Sequence, residues 1–322
     1  MWARARAGPG RGCGPDPETR VQAGPRPGGS AAGAFALAQT ACGVLLYEAF
    51  RPDPAGEGAR LAALEAAAIA VRLADLRARI AAAAGRSGRD PSAVRLVGAS
   101  KTVSAEVLAL AFRAGLRDFG ENRVQEAEFK VPALRQALGP EPGGAGSTDG
   151  TGEPGGAAGP IWHLIGHLQT NKAARAARLF AWVQSVDSER VAEALDRHAA
   201  EAGRTLDVLV EVNASGEEAK SGVAPAQAVA LVGLVACRPR LAVRGFMTVG
   251  PLVARAEEGR PAYRLLARLL GEARAVHPAL ALGELSMGMS ADFEVAIEEG
   301  ATIVRLGSAL FGPRPGALQA GP

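Results

Sequence analysis

Short apolar runs alternate with amphipathic stretches along most of this chain, and the pattern predicts its fold. Eight runs have the length and apolar content of buried strands, at residues 94–100, 116–120, 161–166, 181–186, 206–213, 241–248, 282–287 and 302–307. Helical patterns separate them, including those at residues 104–115, 188–203 and 291–300. Strands that alternate with helices predict parallel pairing, either in a closed (β/α)8 barrel or in an open doubly wound sheet. Eight repeats favour the α/β class of single (β/α)8 TIM barrels, which we predict as the fold.

One further helix is predicted ahead of the first strand. Residues 60–84 are rich in Ala, Leu and Arg, and we expect Gly85 to end this helix. Few residues follow the eighth run, and they are too few for a long outer helix after it. The helix at 60–84 is therefore expected to cover that side of the barrel.

Three segments lie outside this repeat. Residues 1–58 are rich in Ala, Gly, Pro and Arg without a periodic pattern, which predicts a disordered extension. This Arg-rich composition also suits an organellar transit peptide, and a gene start placed too far upstream is a further alternative. The Gly/Pro-rich residues 139–160 predict a disordered loop, and residues 315–322 a short tail. We therefore assign residues 59–314 to one barrel domain.

An apolar stretch within the extension raises the question of a membrane span. Residues 31–50 carry no charge before Glu48, but Gly33, Gln39 and Gly43 dilute their apolar character. We therefore predict no membrane-spanning helix.

Composition argues against several other classes of protein. The chain has 322 residues, of which 48% are hydrophobic, enough for a single barrel of roughly 250 residues. The formal net charge is only +3 and aromatic residues make up 4%, so no nucleic-acid surface is predicted. Three cysteines without a C-x-x-C pair and four histidines without ligand spacing predict neither disulfides nor a metal site.

Lys101 ends the first apolar run and is one of few lysines. Of 36 basic residues only four are lysine, namely Lys101, Lys130, Lys172 and Lys220. An arginine stays protonated and cannot form a Schiff base, whereas an amine desolvated at a strand end can attack an aldehyde. A solvated lysine just past a strand is the ordinary alternative, and the other strand ends decide between the two.

The loops after strands seven and eight have the features of a phosphate site. In a barrel these loops often bind phosphate through backbone N–H groups, and here they contain SMGMS (286–290) and RLGS (305–308). Gly288 and Gly307 would permit a close backbone approach. Ser290 is predicted to cap the helix that follows.

Other candidate groups share the same face, because the C-terminal ends of all eight strands meet there. Glu121 and Asn122 close strand two, and Met247 lies on strand six. A ligand that carries both an aldehyde and a phosphate would use Lys101 and the two loops together. Pyridoxal 5'-phosphate (PLP) is such a ligand.

Six collinear segments resemble the pyridoxal phosphate homeostasis protein family, the single-domain relatives of the alanine racemase barrel. The segments are LVGASKT, FGENRVQE, WHLIGHLQTNK, VLVEVNASGEEAKSGV, GFMTVG and LSMGMSADFEVAIEEGATIVRLGSALFG. The resemblance covers about residues 60–314 and implies an alanine-racemase-like barrel. The extension and the insert at 139–160 depart from the compact pattern of the family.

The resemblance also implies a cofactor, a set of binding residues and a role. The positions are Lys101 for covalent attachment as a Schiff base, Ser290, Gly307 and Ser308 for the phosphate, Arg305 for the pyridine nitrogen, and Asn122 and Met247 for the pocket wall. The family is cytosolic or organellar and acts in vitamin B6 homeostasis without an established turnover. We therefore expect a cytoplasmic or organellar monomer whose partners are PLP and the apo forms of PLP enzymes.

A PLP-dependent amino-acid racemase, or a related fold-type III enzyme, is the alternative function. Arg305 can donate to the pyridine nitrogen but does not readily protonate it, so the ring would be a weak electron sink. Racemases that resemble this barrel bring a tyrosine from a second domain, whereas Tyr47 falls in the extension and Tyr263 in a helical pattern. We therefore expect a carrier or regulator rather than an enzyme. A Schiff-base aldolase that works without cofactor is a third, weaker alternative.

Overall fold

Eight parallel strands close into a barrel in the computed structural model, which describes residues 57–139, 159–217, 220–250 and 255–313. The strands are β1 (Arg95–Ala99), β2 (Asp118–Glu121), β3 (Ile161–Leu164), β4 (Trp182–Val186), β5 (Leu206–Glu211), β6 (Leu241–Met247), β7 (Glu284–Ser286) and β8 (Ile303–Leu306). They follow one another in chain order, and β8 pairs with β1. The predicted (β/α)8 barrel is confirmed, and the open-sheet alternative is wrong.

Helices surround the barrel. They are α1 (Glu57–Arg86), α2 (Ala105–Arg113), α3 (Val124–Leu138), α4 (Ala173–Leu179), α5 (Glu189–Glu201), α6 (Pro225–Ala236), α7 (Arg260–Val276), α8 (Phe293–Glu298) and α9 (Ser308–Phe311). The predicted end of α1 at Gly85 is wrong by one or two residues, because Gly88, with φ of 67°, makes the left-handed turn. The predictions for residues 1–56, 140–158 and 315–322 lie outside the described residues.

Helix α1 covers the barrel beside β1 and β8, as expected. Its buried residues Ile69, Leu73, Leu76 and Ile80 recur at helical spacing and form one apolar face. The helix packs against α2, α8 and α9. Its contacts with α8 include an ion pair between Arg79 Nε and the Glu294 carboxylate at 2.9 Å. An N-terminal helix thus completes the outer layer where α9 is short.

The barrel interior is apolar only in part. One cluster inside it joins Val97, Trp182, Leu209, Met247 and Ile303. Residues paired across parallel strands share a face of the sheet, so every partner of an inward residue also points inward. Several of those inward partners are polar, and they form the deeper part of the candidate site.

Both ends of the 139–160 insert lie at the N-terminal face of the barrel. Gly139 follows the C-terminus of α3, and Gly159 lies just before β3. Connections from a helix to the next strand run along this face, which is opposite the C-terminal strand ends.

No helix among the described residues is long and apolar enough to cross a membrane. Within the part of the chain that the structure describes, no group of three or more His, Cys, Asp or Glu side chains could hold a metal ion.

Candidate functional site

Lys101 leaves the barrel at the C-terminal end of β1 and is half-buried. The next residue, Thr102, has φ of 65° and is the one non-glycine residue with a left-handed backbone among those described. Such a conformation is unfavourable by about 1 kcal/mol or more for a β-branched residue and occurs often at functional sites. A strained turn therefore directs the chain immediately after the candidate lysine.

Gly307 lies against the end of β1. A Cβ atom at this position would come within 3.3 Å of the Ala99 carbonyl oxygen, which is tighter than ordinary packing. Because β8 pairs with β1, the turn at Gly307 and Ser308 is the neighbour of the strand end that leads to Lys101. The structure thus brings the candidate amine and one candidate phosphate loop to adjacent positions.

Ser290 connects the two candidate phosphate loops, but it does not cap a helix as predicted. Asp292 occupies the N-cap position of α8, and its Oδ1 accepts from the Met289 backbone N–H at 2.7 Å. The Ser290 hydroxyl instead accepts from the Ala309 backbone N–H at 3.3 Å. The prediction failed because the helix begins at Phe293, so Ser290 lies two residues before its N-cap position.

Gly288 packs closely against α8. Its φ is 92°, and a Cβ atom there would lie 2.6 Å from the Ala296 Cβ and 2.9 Å from the Phe293 Cα. The absence of a side chain at Gly288 therefore permits the close approach of α8, and its part in a phosphate loop stays a prediction.

Arg305 points into the barrel and is almost fully buried. Its Nη1 donates to the Ser286 hydroxyl at 2.6 Å, and its Nη2 donates to the Thr248 carbonyl at 2.7 Å. Burial lowers the pKa of the guanidinium, while nearby Tyr263 and Glu211 act in the opposite direction. An arginine remains protonated under such conditions, so a fixed cation lies beneath the C-terminal mouth of the barrel.

The remaining predicted residues divide by depth. Met247 ends β6 and is fully buried in the interior cluster, whereas Asn122 is exposed just after β2. The Glu121 side chain does not point toward the candidate site. Its Oε1 accepts from Lys130 Nζ of α3 at 2.8 Å and from the Ser100 hydroxyl at 2.6 Å. Lys130 is therefore engaged behind the barrel wall rather than at its mouth.

Glu211 is a buried carboxyl group at this end that the sequence analysis missed. It ends β5 with 4% of its surface exposed, and its Oε2 has no hydrogen-bond partner. Burial, followed by the charge of Asp187, raises the pKa of Glu211 to about 7. The available signal was the acidic residue Glu211 near the end of the apolar run LDVLVEVN, which looks like a solvated strand end until the register is known.

Sequence comparisons identify relatives of nearly the same length as this barrel. Residues 71–315 match the family model of the alanine racemase N-terminal domain. The pyridoxal phosphate homeostasis protein of Aquifex aeolicus is 40% identical over 243 residues, which cover 76% of this chain and 97% of the relative. Its namesake in Escherichia coli K12 is 36% identical over 246 residues, 76% of this chain and 97% of the relative.

The chain belongs to the pyridoxal phosphate homeostasis protein family. The resemblance in the six sequence segments is confirmed.

Solved structures agree with this membership. PipY of Synechococcus elongatus PCC7942, a structure with PLP bound, has 36% sequence identity and a TM-score of 0.61 and covers 76% of this chain and all of its own. Alanine racemase from Corynebacterium glutamicum has a TM-score of 0.51 at 18% identity, covering 78% of this chain and 62% of its own, which shows a shared fold alone. The relatives with 36–40% identity are thus named for homeostasis, whereas the alanine racemase, an enzyme, is similar at only 18% identity.

Tyr263, the candidate acid or base for a racemase, is packed inside the protein. It lies on α7, is fully buried, and donates its hydroxyl hydrogen to Asp292 Oδ2 at 2.6 Å. Burial, and then this hydrogen bond, raise the pKa of the phenol above its usual range. Tyr47 lies outside the described residues.

Proposed function

We propose that this protein binds PLP as a Schiff base on Lys101 and acts in intracellular vitamin B6 homeostasis, as a carrier or regulator without robust catalysis. The observation that carries the proposal is the pairing of β8 with β1, which makes the turn at Gly307 the neighbour of the strand that ends before Lys101. The PLP-bound relative PipY supports the identity of the ligand.

The residues at the barrel mouth fit such a ligand. When bound, the cofactor supplies an aldehyde, a phosphate and an electron-withdrawing pyridine ring. We assign Lys101 to the aldehyde, and Ser290, Gly307 and Ser308 to the phosphate. Arg305 would donate to the pyridine nitrogen. Asn122 and Met247 would line the pocket from opposite depths.

The same residues favour a carrier over a racemase. A guanidinium that already donates through both Nη atoms holds a ring nitrogen without transferring a proton to it. Tyr263 is committed to Asp292 and buried, so it does not offer an acid or base at the barrel mouth. Racemase or fold-type III chemistry remains the alternative function. A cytoplasmic or organellar location, a monomeric state and apo PLP enzymes as recipients belong to the same proposal.

Borohydride reduction tests the attachment point. Protein incubated with PLP is reduced and digested, and we expect mass spectrometry to find the pyridoxyl group on Lys101. Lys101→Arg keeps the charge and removes the nucleophile, so it is the matched control and should remain unmodified. Recovery of the adduct mainly on Lys130, Lys172 or Lys220 would contradict the assignment. The carrier role is tested separately, by comparing transfer of PLP to an apo-enzyme with free release.

A further inference from the structure

Five polar side chains form a hydrogen-bonded chain across the barrel interior. Asp118 Oδ1 lies 2.9 Å from His163 Nε2, and His163 Nδ1 lies 3.0 Å from Gln184 Nε2. The Ser286 hydroxyl donates to Gln184 Oε1 at 2.6 Å and accepts from Arg305 Nη1 at 2.6 Å. The chain crosses from β2, β3 and β4 to β7 and β8 on the far side.

The two ends of this chain determine the direction of every hydrogen bond within it. A carboxylate such as Asp118 only accepts, and a guanidinium such as Arg305 only donates. His163 must therefore carry its proton on Nε2, and its Nδ1 must accept from the amide nitrogen of Gln184. The amide oxygen of Gln184 is then left to accept from Ser286. All donors point the same way, so each bond strengthens the next.

The surroundings of His163 are consistent with a neutral imidazole. The ring is fully buried and lies 5.6 Å from the Trp182 ring in a stacked arrangement. Burial lowers the pKa of His163 most strongly, Arg95 also lowers it, and Asp118 and Asp207 raise it. A neutral imidazole with one donor and one acceptor is the form that the chain requires.

Polar residues at these positions need an explanation beyond stability. Barrel interiors are ordinarily filled by branched apolar side chains, and buried polar groups contribute little net stability even when they are fully paired. The chain ends on the guanidinium that lies beneath the barrel mouth. Loss of Gln184 would leave the Ser286 hydroxyl without its acceptor and free to rotate, which would loosen one of the two anchors of Arg305.

We propose that Asp118, His163 and Gln184 are positioning residues, which orient the Arg305 guanidinium toward the ring nitrogen of the bound cofactor. This inference rests on the proposed function. It adds residues that lie deep in the barrel, extending toward its N-terminal face, to a site at its C-terminal end. Asp118, with 14% of its side chain exposed, marks the far end of the chain.

A ligand comparison tests the proposal. Gln184→Met conserves volume and breaks the chain, and binding is measured by absorbance titration for PLP and for an analogue in which CH replaces the ring nitrogen. We expect PLP affinity to fall at least about tenfold, because a hydrogen bond to a charged donor is misplaced. Affinity for the analogue should change less than about twofold. Ser185→Ala removes an adjacent buried hydroxyl of β4 that has no partner, and this control should change neither.

A double variant tests whether Gln184 acts on Arg305 through Ser286. Ser286→Ala should reduce the preference for PLP over the analogue by itself, and adding Gln184→Met should reduce it no further if Gln184 acts through Ser286. Ser286→Ala also decides the question if Gln184→Met does not fold. Equal losses for both ligands, or no loss for either, would overturn the positioning role. A parent protein that binds neither ligand would instead overturn the proposed function.

The chain of hydrogen bonds through His163 can be observed without any ligand. The protein has four histidines, so ¹⁵N labelling of histidine gives few imidazole signals. We expect His163 to remain a neutral Nε2–H tautomer between about pH 5 and 8. Gln184→Glu should place a carboxylate against His163 Nδ1. This second acceptor should favour a proton on that nitrogen as well, so that the ring becomes charged. A His163 ring that carries its proton on Nδ1 in the parent, or that titrates in this range, would overturn the inference.

Discussion

Glu211 is a buried residue whose charge state should respond to pH near neutrality. Its pKa is raised from 4.5 to about 7 in the folded protein, mainly by burial. Between these two values the folded state keeps a proton that the unfolded state has released. The folded state therefore binds more protons, and the free energy of unfolding must fall as pH rises through this window.

Glu211→Gln should remove this pH dependence. The amide is neutral at every pH, so the variant should gain stability relative to the parent as pH rises from about 4.5 to above 7, by on the order of 3 kcal/mol at most. Urea unfolding of the ligand-free protein at several pH values measures the difference. Glu65→Gln, an exposed residue on α1, is the matched control for the loss of one carboxylate. Stability curves of parent and Glu211→Gln that run parallel would show that Glu211 is not held neutral.

The same residue shows where sequence analysis stopped. Arg305 was singled out by the family resemblance alone. The places of Lys101 and Gly307 after strand ends were predictable, because each follows a recognisable apolar run, while their roles in binding stay predictions. Glu211 and Gln184 were not predictable, because the pairing register of β4, β5 and β6 decides which side chains meet inside the barrel. That register shifts between Val183 and Val186 and again between Val208 and Leu209. A shift of one residue reverses the face of a side chain, and no local pattern in these strands announces it.

At the scale of elements, the strand and helix repeat was fully predictable, while the contacts between elements were not. Each predicted apolar run contains or overlaps a strand, because buried parallel strands read as continuous apolar segments. The close packing of Gly288 against α8 could not be predicted, because no local sequence pattern indicates which residues of a later helix a loop glycine will contact.

Gly288→Ala should therefore destabilise the fold. The new methyl group would meet the Ala296 Cβ at 2.6 Å and the Phe293 Cα at 2.9 Å, and the φ of 92° is unfavourable for alanine. We expect a loss of about 1 to 3 kcal/mol in the free energy of unfolding. Gly271→Ala on α7 is the matched control, because no atom lies within 4 Å of its added methyl group. That variant should gain up to about 1 kcal/mol. Equal effects of the two substitutions in urea unfolding would contradict this account of α8.

At the scale of the whole molecule, the two faces of the barrel have different tasks. The C-terminal face presents Lys101 and the loops after β7 and β8, while the ends of the 139–160 insert, at Gly139 and Gly159, lie at the N-terminal face. The chain of hydrogen bonds that ends on Arg305 begins at Asp118, at the start of β2. The barrel interior therefore connects the two faces through polar groups, although the interior also contains an apolar cluster.

The site should not require the segments that lie outside the described barrel. We predict that a variant without residues 1–56 and 140–158, with a short Gly/Ser linker between Gly139 and Gly159, folds and binds PLP within about twofold of the parent affinity. The physical reason is that every proposed binding residue lies on the closed barrel, opposite the insertion point. A longer deletion that removes residues 1–88 is the control. It also removes α1 and its buried face, so it should fail to fold cooperatively. Circular dichroism with thermal melting checks the fold, and absorbance titration checks binding. A folded short deletion that no longer binds PLP would show that one of the removed segments reaches the C-terminal face.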